Sequence, residues 1–254
     1  MSRALKMRDN ALDLGAIIGH RGLAALAPEN TIESFALAHQ YGLKAVEFDV
    51  VLSADGEAFV FHDLTLNRTT NGRGPIGKAS SEYLKSLDAG SWFSSKFVGA
   101  RIPTLQETLL WLIDHHMTAN IEIKPYPGFT YNTVCSVLRH IDEFWPKSIP
   151  LPLISSFEIE ALRLCRKLHP TLPLGYLLER WNPKEIELGQ SLECVSFHLN
   201  HRATTPKYIE ELKRKGFWVY VYTVNQQSLI NKYFNWGVDG VFSDYPGWRI
   251  QSGQ

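Results

Sequence analysis

Ala45-Val46-Glu47-Phe48-Asp49-Val50-Val51 decides the fold. Residues two apart in a strand share a face. Val46, Phe48 and Val50 therefore form an apolar face, while Glu47 and Asp49 stand together on the other. The pattern recurs in Ile121-Glu122-Ile123-Lys124, where Glu122 and Lys124 share the polar face. A strand with an apolar back and a charged front suits a barrel, with the back packed under outer helices and the front open to the mouth. Outward from these two runs, strand-like segments at 16–19, 45–51, 120–124, 151–155, 172–177, 194–199, 218–224 and 240–243 alternate with helix-like segments. The helices fall near 31–41, 104–117, 130–144, 158–168, 183–190, 205–215 and 226–236. Eight strands in such an alternation predict an α/β fold, a (β/α)8 TIM barrel spanning residues 1–254 as one domain. A doubly wound open sheet is the competing arrangement, which periodicity alone leaves open.

One segment breaks the alternation. Residues 63–103 are rich in Gly, Ser, Thr and Asn, with one short helix-like piece near 80–87. At roughly 40 residues this is too long for a simple barrel loop. It reads as an insertion after the second strand, folded over one barrel end and anchored by Trp92, Phe93 and Phe97. Before the first helix, Asn30 with Glu33 three positions later has the spacing of an N-cap and capping box.

Composition narrows the function. The chain has 26 Lys+Arg against 26 Asp+Glu. No basic excess is present to hold nucleic acid or an anionic membrane, so any phosphate affinity must be local. No run approaches the ~20 apolar residues of a membrane span, and stable membrane insertion is not expected. Arg8, Asp9 and Asp13 interrupt any signal-peptide-like core at the start. Cys135, Cys165 and Cys194 are far apart and odd in number, which fits small core residues in a reducing, cytoplasmic setting. The loops that mark P-loop nucleotide hydrolysis, dinucleotide binding and a serine nucleophile elbow are all missing.

The polar faces carry the chemistry. Glu47 and Asp49 on one buried face, joined by Glu122, bring three carboxylates together at a cost in repulsion and desolvation. A hard divalent cation resolves that cost, and all-oxygen ligands suit Mg²⁺ or Ca²⁺ rather than zinc. The alternative is salt bridging to Lys124, Arg21 or Lys44. His20 ends the first strand and His62 ends the 57–62 run, so two imidazoles lie near these acids. An imidazole titrates near neutrality, and a pair suits a reaction with one general base and one general acid. Arg21 offers a planar fork for phosphate, and Lys124 a second positive charge where negative charge builds. His198 and His201 follow a strand and could share the rim, without comparable context.

His20-Arg21-Gly22, Ala27-Pro28-Glu29-Asn30-Thr31, Glu47-Phe48-Asp49-Val50, Phe61-His62-Asp63, the run 67–72 (NRTTNG), the run 121–125 (IEIKP), the run 220–225 (with VYTVN) and the run 237–246 (GVDGVFSDYP) together resemble the glycerophosphodiester phosphodiesterases. The similarity runs from about residue 20 to about residue 246, and is greatest to the cytosolic bacterial enzymes associated with glycerol 3-phosphate uptake. The resemblance implies a TIM barrel with a small insertion after its second strand. It implies a phosphoric diester hydrolase that converts small-molecule glycerophosphodiesters to sn-glycerol 3-phosphate and an alcohol. By resemblance Glu47, Asp49 and Glu122 hold the metal, His20 and His62 are catalytic, and Arg21 and Lys124 contact phosphate. Tyr222 stands where many relatives carry tryptophan, a substrate-binding position, and Ser243-Asp244 replaces a more usual threonine-aspartate. His20 is taken as base and His62 as acid, the two roles being exchangeable. The attacker is glycerol's 2-hydroxyl or water. A homodimer is compatible with this resemblance, and so is a phospholipase whose lipid-facing rim includes Trp92, Phe93, Phe97 and Trp248.

Overall fold

The alternation of apolar runs resolves into a closed barrel. The computed structural model describes residues 14–247. Its nine strands are β1 (Ile17–His20), β2 (Ala45–Leu52), β3 (Ala58–Val60), β4 (Thr118–Ile123), β5 (Leu153–Ser156), β6 (Leu174–Leu178), β7 (Ser196–Asn200), β8 (Trp218–Tyr222) and β9 (Gly240–Ser243). Eight of them are parallel and adjacent in the order β1-β9-β8-β7-β6-β5-β4-β2, and β1 pairs with β2 to close the ring. The chain is thus a (β/α)8 TIM barrel, as expected, and the open sheet is excluded. β3 is an extra strand, antiparallel to the end of β2 through Val50↔Val60, Val51↔Phe59 and Leu52↔Ala58.

Helices return the chain between strands: α1 (Ile32–Gln40), α2 (Ser81–Ser86), α3 (Leu105–Asp114), α4 (Thr130–Phe144), α5 (Ile159–Leu168), α6 (Lys184–Ser191), α7 (Pro206–Arg214) and α8 (Gln227–Asn235). Thr104 starts α3 with a full capping box, its hydroxyl accepting from the Glu107 amide while the Glu107 carboxylate accepts from the Thr104 amide. The alternation of β2 then decides two cores. Val46, Phe48, Val50 and Leu52 face outward into the layer between sheet and helices. There Phe35 of α1 lies 5.6 Å from Phe48 and 6.5 Å from Trp111 of α3, ring to ring. Inside the barrel, Leu14, Ile18, Ala45, Leu153, Val195, Tyr220 and Phe242 form an apolar plug. Because this plug sits toward the strand starts, the polar side chains at the strand ends crowd the mouth. Cys165 and Cys194 are buried free thiols, pushed up to about 12 by burial, and Cys135 is half-buried and free. Among the described residues no helix is long and apolar enough to cross a membrane.

Two local expectations are corrected. Thr31, not Asn30, caps α1: its hydroxyl accepts from the Ser34 amide. Asn30 instead sits in the left-handed region at φ +57°, a conformation asparagine tolerates. Its side chain is spent on Asp49, with Nδ2 donating to Oδ2 at 2.9 Å. Trp92, Phe93 and Phe97 do not anchor 63–103. They stack edge-to-face on one another, with Trp92 38% exposed. The anchor is a separate apolar cluster, in which Leu66, Ile76, Leu84, Leu87 and Ile102 pack against Val51, Phe59 and Phe61. β3 therefore serves as the platform on which the segment rests. Trp248, the fourth residue of the lipid-facing rim, lies outside the described residues, as do Arg8, Asp9 and Asp13.

The aromatic contact between the first helix and β2 yields a stability prediction. Phe35→Ala removes a side chain with 0% exposure and should cost about 3–5 kcal/mol. Leu110→Ala, on a 47% exposed position, should stay within about 0.5 kcal/mol. Urea denaturation of the three proteins measures both.

Candidate active site

Strand register brings distant residues together at the mouth. His20 pairs with Glu47 across β1 and β2, and Asp49 pairs with Glu122 across β2 and β4. Carboxylate oxygens of Glu47, Asp49 and Glu122 all lie within 4.8 Å of one another. Their exposures are 4%, 1% and 9%, so water screens them little. Burial raises Glu47 well above the usual carboxylate range, helped by the charges of Asp49 and Glu122. Burial and Asp49 push Glu122 up to about 8. Burial acts on Asp49 as well, but Arg21, His62, Lys124 and the Asn30 amide outweigh it and hold its carboxyl low. Alone, such a trio cannot all stay ionised at neutral pH. Lys44, offered as a salt-bridge partner, is exposed before the start of β2, at the opposite end of the barrel. Hard oxygen donors at this spacing fit Mg²⁺ or Ca²⁺.

The loop after β1 supplies cationic and amide donors. Gly22 has φ +86°, and a Cβ there would lie 2.3 Å from Ser34 Oγ, so only glycine fits. Arg21 is itself left-handed at φ +52°. It is held by its amide donating to Glu47 Oε2 at 3.0 Å and its carbonyl accepting from the Asn30 amide at 3.0 Å. Its guanidinium reaches Glu29 Oε1 at 2.7 Å and leaves Nε 3.4 Å from Asp49 Oδ2. Lys124, one residue past β4, lies 3.8 Å from Asp49 Oδ1.

Each imidazole has a carboxylate behind it. His20 Nδ1 is 2.6 Å from Asp244 Oδ1, and its Nε2 is 4.0 Å from Glu47 Oε2. Asp244 is fixed in turn by Asn225, whose Nδ2 donates at 2.5 Å and whose Oδ1 accepts from the Asp244 amide at 2.9 Å. His62 Nδ1 is 2.7 Å from Asp63 Oδ1. On the other side, its Nε2 meets Lys124 Nζ. A lysine ammonium can only donate, so this Nε2 is bare. Burial, with Arg21 and Lys124, lowers the His62 pKa against the pull of Asp49 and Asp63. In both rings the carboxylate engages Nδ1 and leaves Nε2 for the mouth, facing Glu47 in His20 and Lys124 in His62, the arrangement that selects one tautomer.

His20, Arg21, Glu47, His62, Glu122 and Lys124 line a cavity of about 230 Å³. Phe157 and Tyr222 form one wall, edge-to-face at 5.8 Å. The Tyr222 hydroxyl donates to the Leu178 carbonyl at 3.0 Å, so the residue offers its ring rather than its hydroxyl. Asn120, Leu177, His198 and Phe242 also line it. His198 is fully buried, 3.0 Å from Ser196 Oγ, and burial drops its pKa to about 3, which keeps it neutral. His201 stays at the rim, with Nδ1 3.3 Å from the Tyr222 carbonyl. All eight site residues singled out from sequence thus meet at one mouth. Missing from that set are Asp244, Asn225, Asp63, Glu29, Arg68 and Asn30, which orient or neutralise it. The adjacency of His62 and Asp63 was a usable signal. Asp244 stands out only as part of the Ser243-Asp244 pair, and at 224 positions from His20 nothing in sequence links the two.

The profile of the Glycerophosphoryl diester phosphodiesterase family matches residues 20–248. A glycerophosphodiester phosphodiesterase of Caldanaerobacter subterraneus subsp. tengcongensis is 34% identical over 234 residues, covering 91% of this chain and 94% of its own. A phosphodiesterase of Oleispira antarctica, solved in complex with the product sn-glycerol-3-phosphate, aligns with a TM-score of 0.90 and 38% identity, over 94% of this chain and 96% of that one. A glycerophosphodiester phosphodiesterase of Agrobacterium tumefaciens aligns at a TM-score of 0.78 and 30% identity, over 91% and 97%. A profile match that begins at His20 and runs past β9, with such identity over nearly whole chains, shows that this chain belongs to the glycerophosphoryl diester phosphodiesterase family of enzymes.

Proposed function

We propose that the protein hydrolyses glycerophosphodiesters such as glycerophosphocholine or glycerophosphoethanolamine to sn-glycerol 3-phosphate and the free alcohol, with a divalent cation. One observation carries this reading: a buried trio of carboxylates lies under Arg21 and Lys124, between two imidazoles each held by a carboxylate. The product bound by the Oleispira antarctica relative supports the same substrate class. The buried free thiols suit a reducing compartment, which favours a cytoplasmic enzyme of glycerol and lipid metabolism. We take residues 1–254 as a single domain, with 63–103 as the inserted segment.

Glu47, Asp49 and Glu122 are the residues that would hold Mg²⁺ or Ca²⁺. When bound, such a cation supplies Lewis-acid polarisation and charge neutralisation at the phosphate. Arg21 and Lys124 bind the phosphate oxygens and stabilise the negative charge that builds as an oxygen nucleophile adds to phosphorus. One imidazole takes the proton from that nucleophile. The bond from phosphorus to the alcohol oxygen breaks, and the other imidazole returns a proton to the departing alkoxide. The nucleophile is the glycerol 2-hydroxyl, giving a cyclic phosphate that water then opens, or water itself. Tyr222 and Phe157 present ring surface to the bound molecule and exclude water from one side.

The Lys124 contact bears on which imidazole does what. A bare His62 Nε2 is the acceptor geometry of a base, while His20 has Asp244 behind its ring and turns Nε2 toward Glu47. This supports the exchanged assignment, His62 as base and His20 as acid. A cavity of about 230 Å³ suits a glycerol phosphate more than a lipid, whose acyl chain would lie outside it.

Four measurements test the reading. Release of glycerol 3-phosphate from glycerophosphocholine should be efficient, and lysophosphatidylcholine should be cleaved poorly; the opposite preference makes the protein a phospholipase, and binding without turnover a non-catalytic barrel. Exhaustive chelation should abolish turnover, and Mg²⁺ or Ca²⁺ should restore it. The same ions alone should raise the melting temperature, by linkage, in the wild type but not in Glu122→Gln. Finally, a p-nitrophenyl ester of glycerophosphate has a leaving group that needs no proton. His20→Ala should lose ~10²-fold or more on glycerophosphocholine and little on that ester, whereas His62→Ala should lose ~10²-fold on both. The reverse pattern returns the roles to His20 as base and His62 as acid.

A further inference from the structure

Arg68 stands on the inserted segment and contacts none of the three clustered carboxylates. Its guanidinium nonetheless makes four hydrogen bonds to two other carboxylates. Nε donates to Asp63 Oδ2 at 2.7 Å and Nη2 to Asp63 Oδ1 at 2.8 Å. On the other flank, Nη1 donates to Glu29 Oε2 at 2.6 Å and Nη2 to Glu29 Oε1 at 2.8 Å. Each of those carboxylates holds a site residue. Asp63 Oδ1 takes His62 Nδ1 at 2.7 Å, and Glu29 Oε1 takes Arg21 Nη1 at 2.7 Å. One planar fork thus joins two arms, Arg68–Asp63–His62 and Arg68–Glu29–Arg21.

We infer that Arg68 is a positioning residue, which sets the His62 imidazole through Asp63 and the Arg21 guanidinium through Glu29 at the same time. The inference rests on the proposed function, since it assigns His62 and Arg21 their work. Several features of the geometry support it. The turn that carries Arg68 is itself fixed, by the Leu66 amide on the Gly74 carbonyl at 2.9 Å and the Thr70 hydroxyl on the Leu66 carbonyl at 2.7 Å. Glu29 has a side chain only 10% exposed, and its charge lies beside Arg21 near the acid cluster. Without Arg68, Glu29 would have Arg21 alone as its cationic partner and would draw that guanidinium away from the cavity. Asp63 would keep His62 but lose both bonds that fix its own plane. Bidentate pairs of this kind need a planar fork with several donors; a lysine has one point charge and cannot span both. The two partners come from different parts of the chain, the loop after β1 and the inserted segment, so the pair of arms also ties those segments into one unit.

The test is steady-state kinetics on glycerophosphocholine with saturating Mg²⁺, for wild type, Arg68→Ala, Arg68→Lys, Asp63→Asn and Glu29→Gln. Circular dichroism corrects each for the folded fraction, and ¹⁵N NMR reports the His62 ring nitrogens. Arg68→Ala should lower kcat roughly 10- to 100-fold and also raise KM, the scale on which misplaced supporting groups act. Asp63→Asn should change mainly kcat, Glu29→Gln mainly KM, and Arg68→Lys should fall between wild type and Arg68→Ala. Added guanidinium, but not ammonium, should restore part of the kcat of Arg68→Ala. The His62 nitrogen shifts should move in Arg68→Ala and less in Arg68→Lys. Wild-type kcat and KM in Arg68→Ala overturn the inference. So does a loss that guanidinium leaves unchanged while the His62 shifts stay as in wild type, since Arg68 is then only a staple. If the wild type itself turns over no glycerophosphodiester, the proposed function falls, and the NMR arm alone decides whether Arg68 sets His62.

Discussion

Three carboxylates in the mouth of the barrel, none more than 9% exposed, repel one another with little water between them. Much of the surrounding structure answers that repulsion. Asn30 adopts a left-handed backbone so that its amide can donate to Asp49. Arg21 does the same so that its amide reaches Glu47 while its side chain stays near Asp49. Gly22 is then the only residue that lets the chain pass Ser34 on the way to α1. Such local strain typically costs about 1–3 kcal/mol per residue and persists where the surroundings over-determine it. The outer core, with Phe35 and Phe48 at its centre, is what holds this arrangement in place.

The plan of the barrel was legible because it depends on periodicity. In β2 and β4 the apolar residues alternate with charged ones, and that alternation alone separates the helix-facing layer from the mouth. Glu47, Asp49, Glu122 and Lys124 follow from it directly. The strand expected over 194–199 runs over Ser196–Asn200, and that over 172–177 over Leu174–Leu178, shifts that leave each face unchanged. What escaped reading depends on contacts between segments far apart. Asn30 has the spacing of a helix cap, yet its partner is Asp49, which a local rule does not weigh. Trp92, Phe93 and Phe97 look like an anchor by size, but smaller residues such as Ile76 and Leu87 have the platform of β3 beneath them. Asp244 stands in the sequence as part of the Ser243-Asp244 pair, but its link to His20 is silent because only closure of the ring brings them together.

The barrel also divides its labour along its axis. Toward the strand starts, the plug of Leu14, Ile18, Ala45, Leu153, Val195 and Tyr220 is buried, and Phe242 at its top lines the cavity. At the strand ends, side chains are polar, charged and held by one another rather than by packing. Stability comes mainly from the plug and the outer layer, and chemistry from the mouth, the partition that lets this fold carry many reactions. The inserted segment adds a second, smaller core of its own beside the mouth, with Leu66, Ile76 and Leu84 at its centre. It therefore brings Asp63 and Arg68 to the site on a packed support rather than on a free loop.

The contact between His20 and Asp244 joins the first strand of the ring to the residue just after the last. Glu47, Asp49, Glu122, His62 and Lys124 all precede β5 in the chain, but His20 has no carboxylate behind it until β9 closes against β1. A ribosome-bound chain that stops short of Asp244 holds the acids and one buttressed imidazole, and nothing to aim the other. The full arrangement of the mouth therefore waits on ring closure rather than growing by increments along the chain. A barrel without that seam leaves His20 without the carboxylate that fixes its ring.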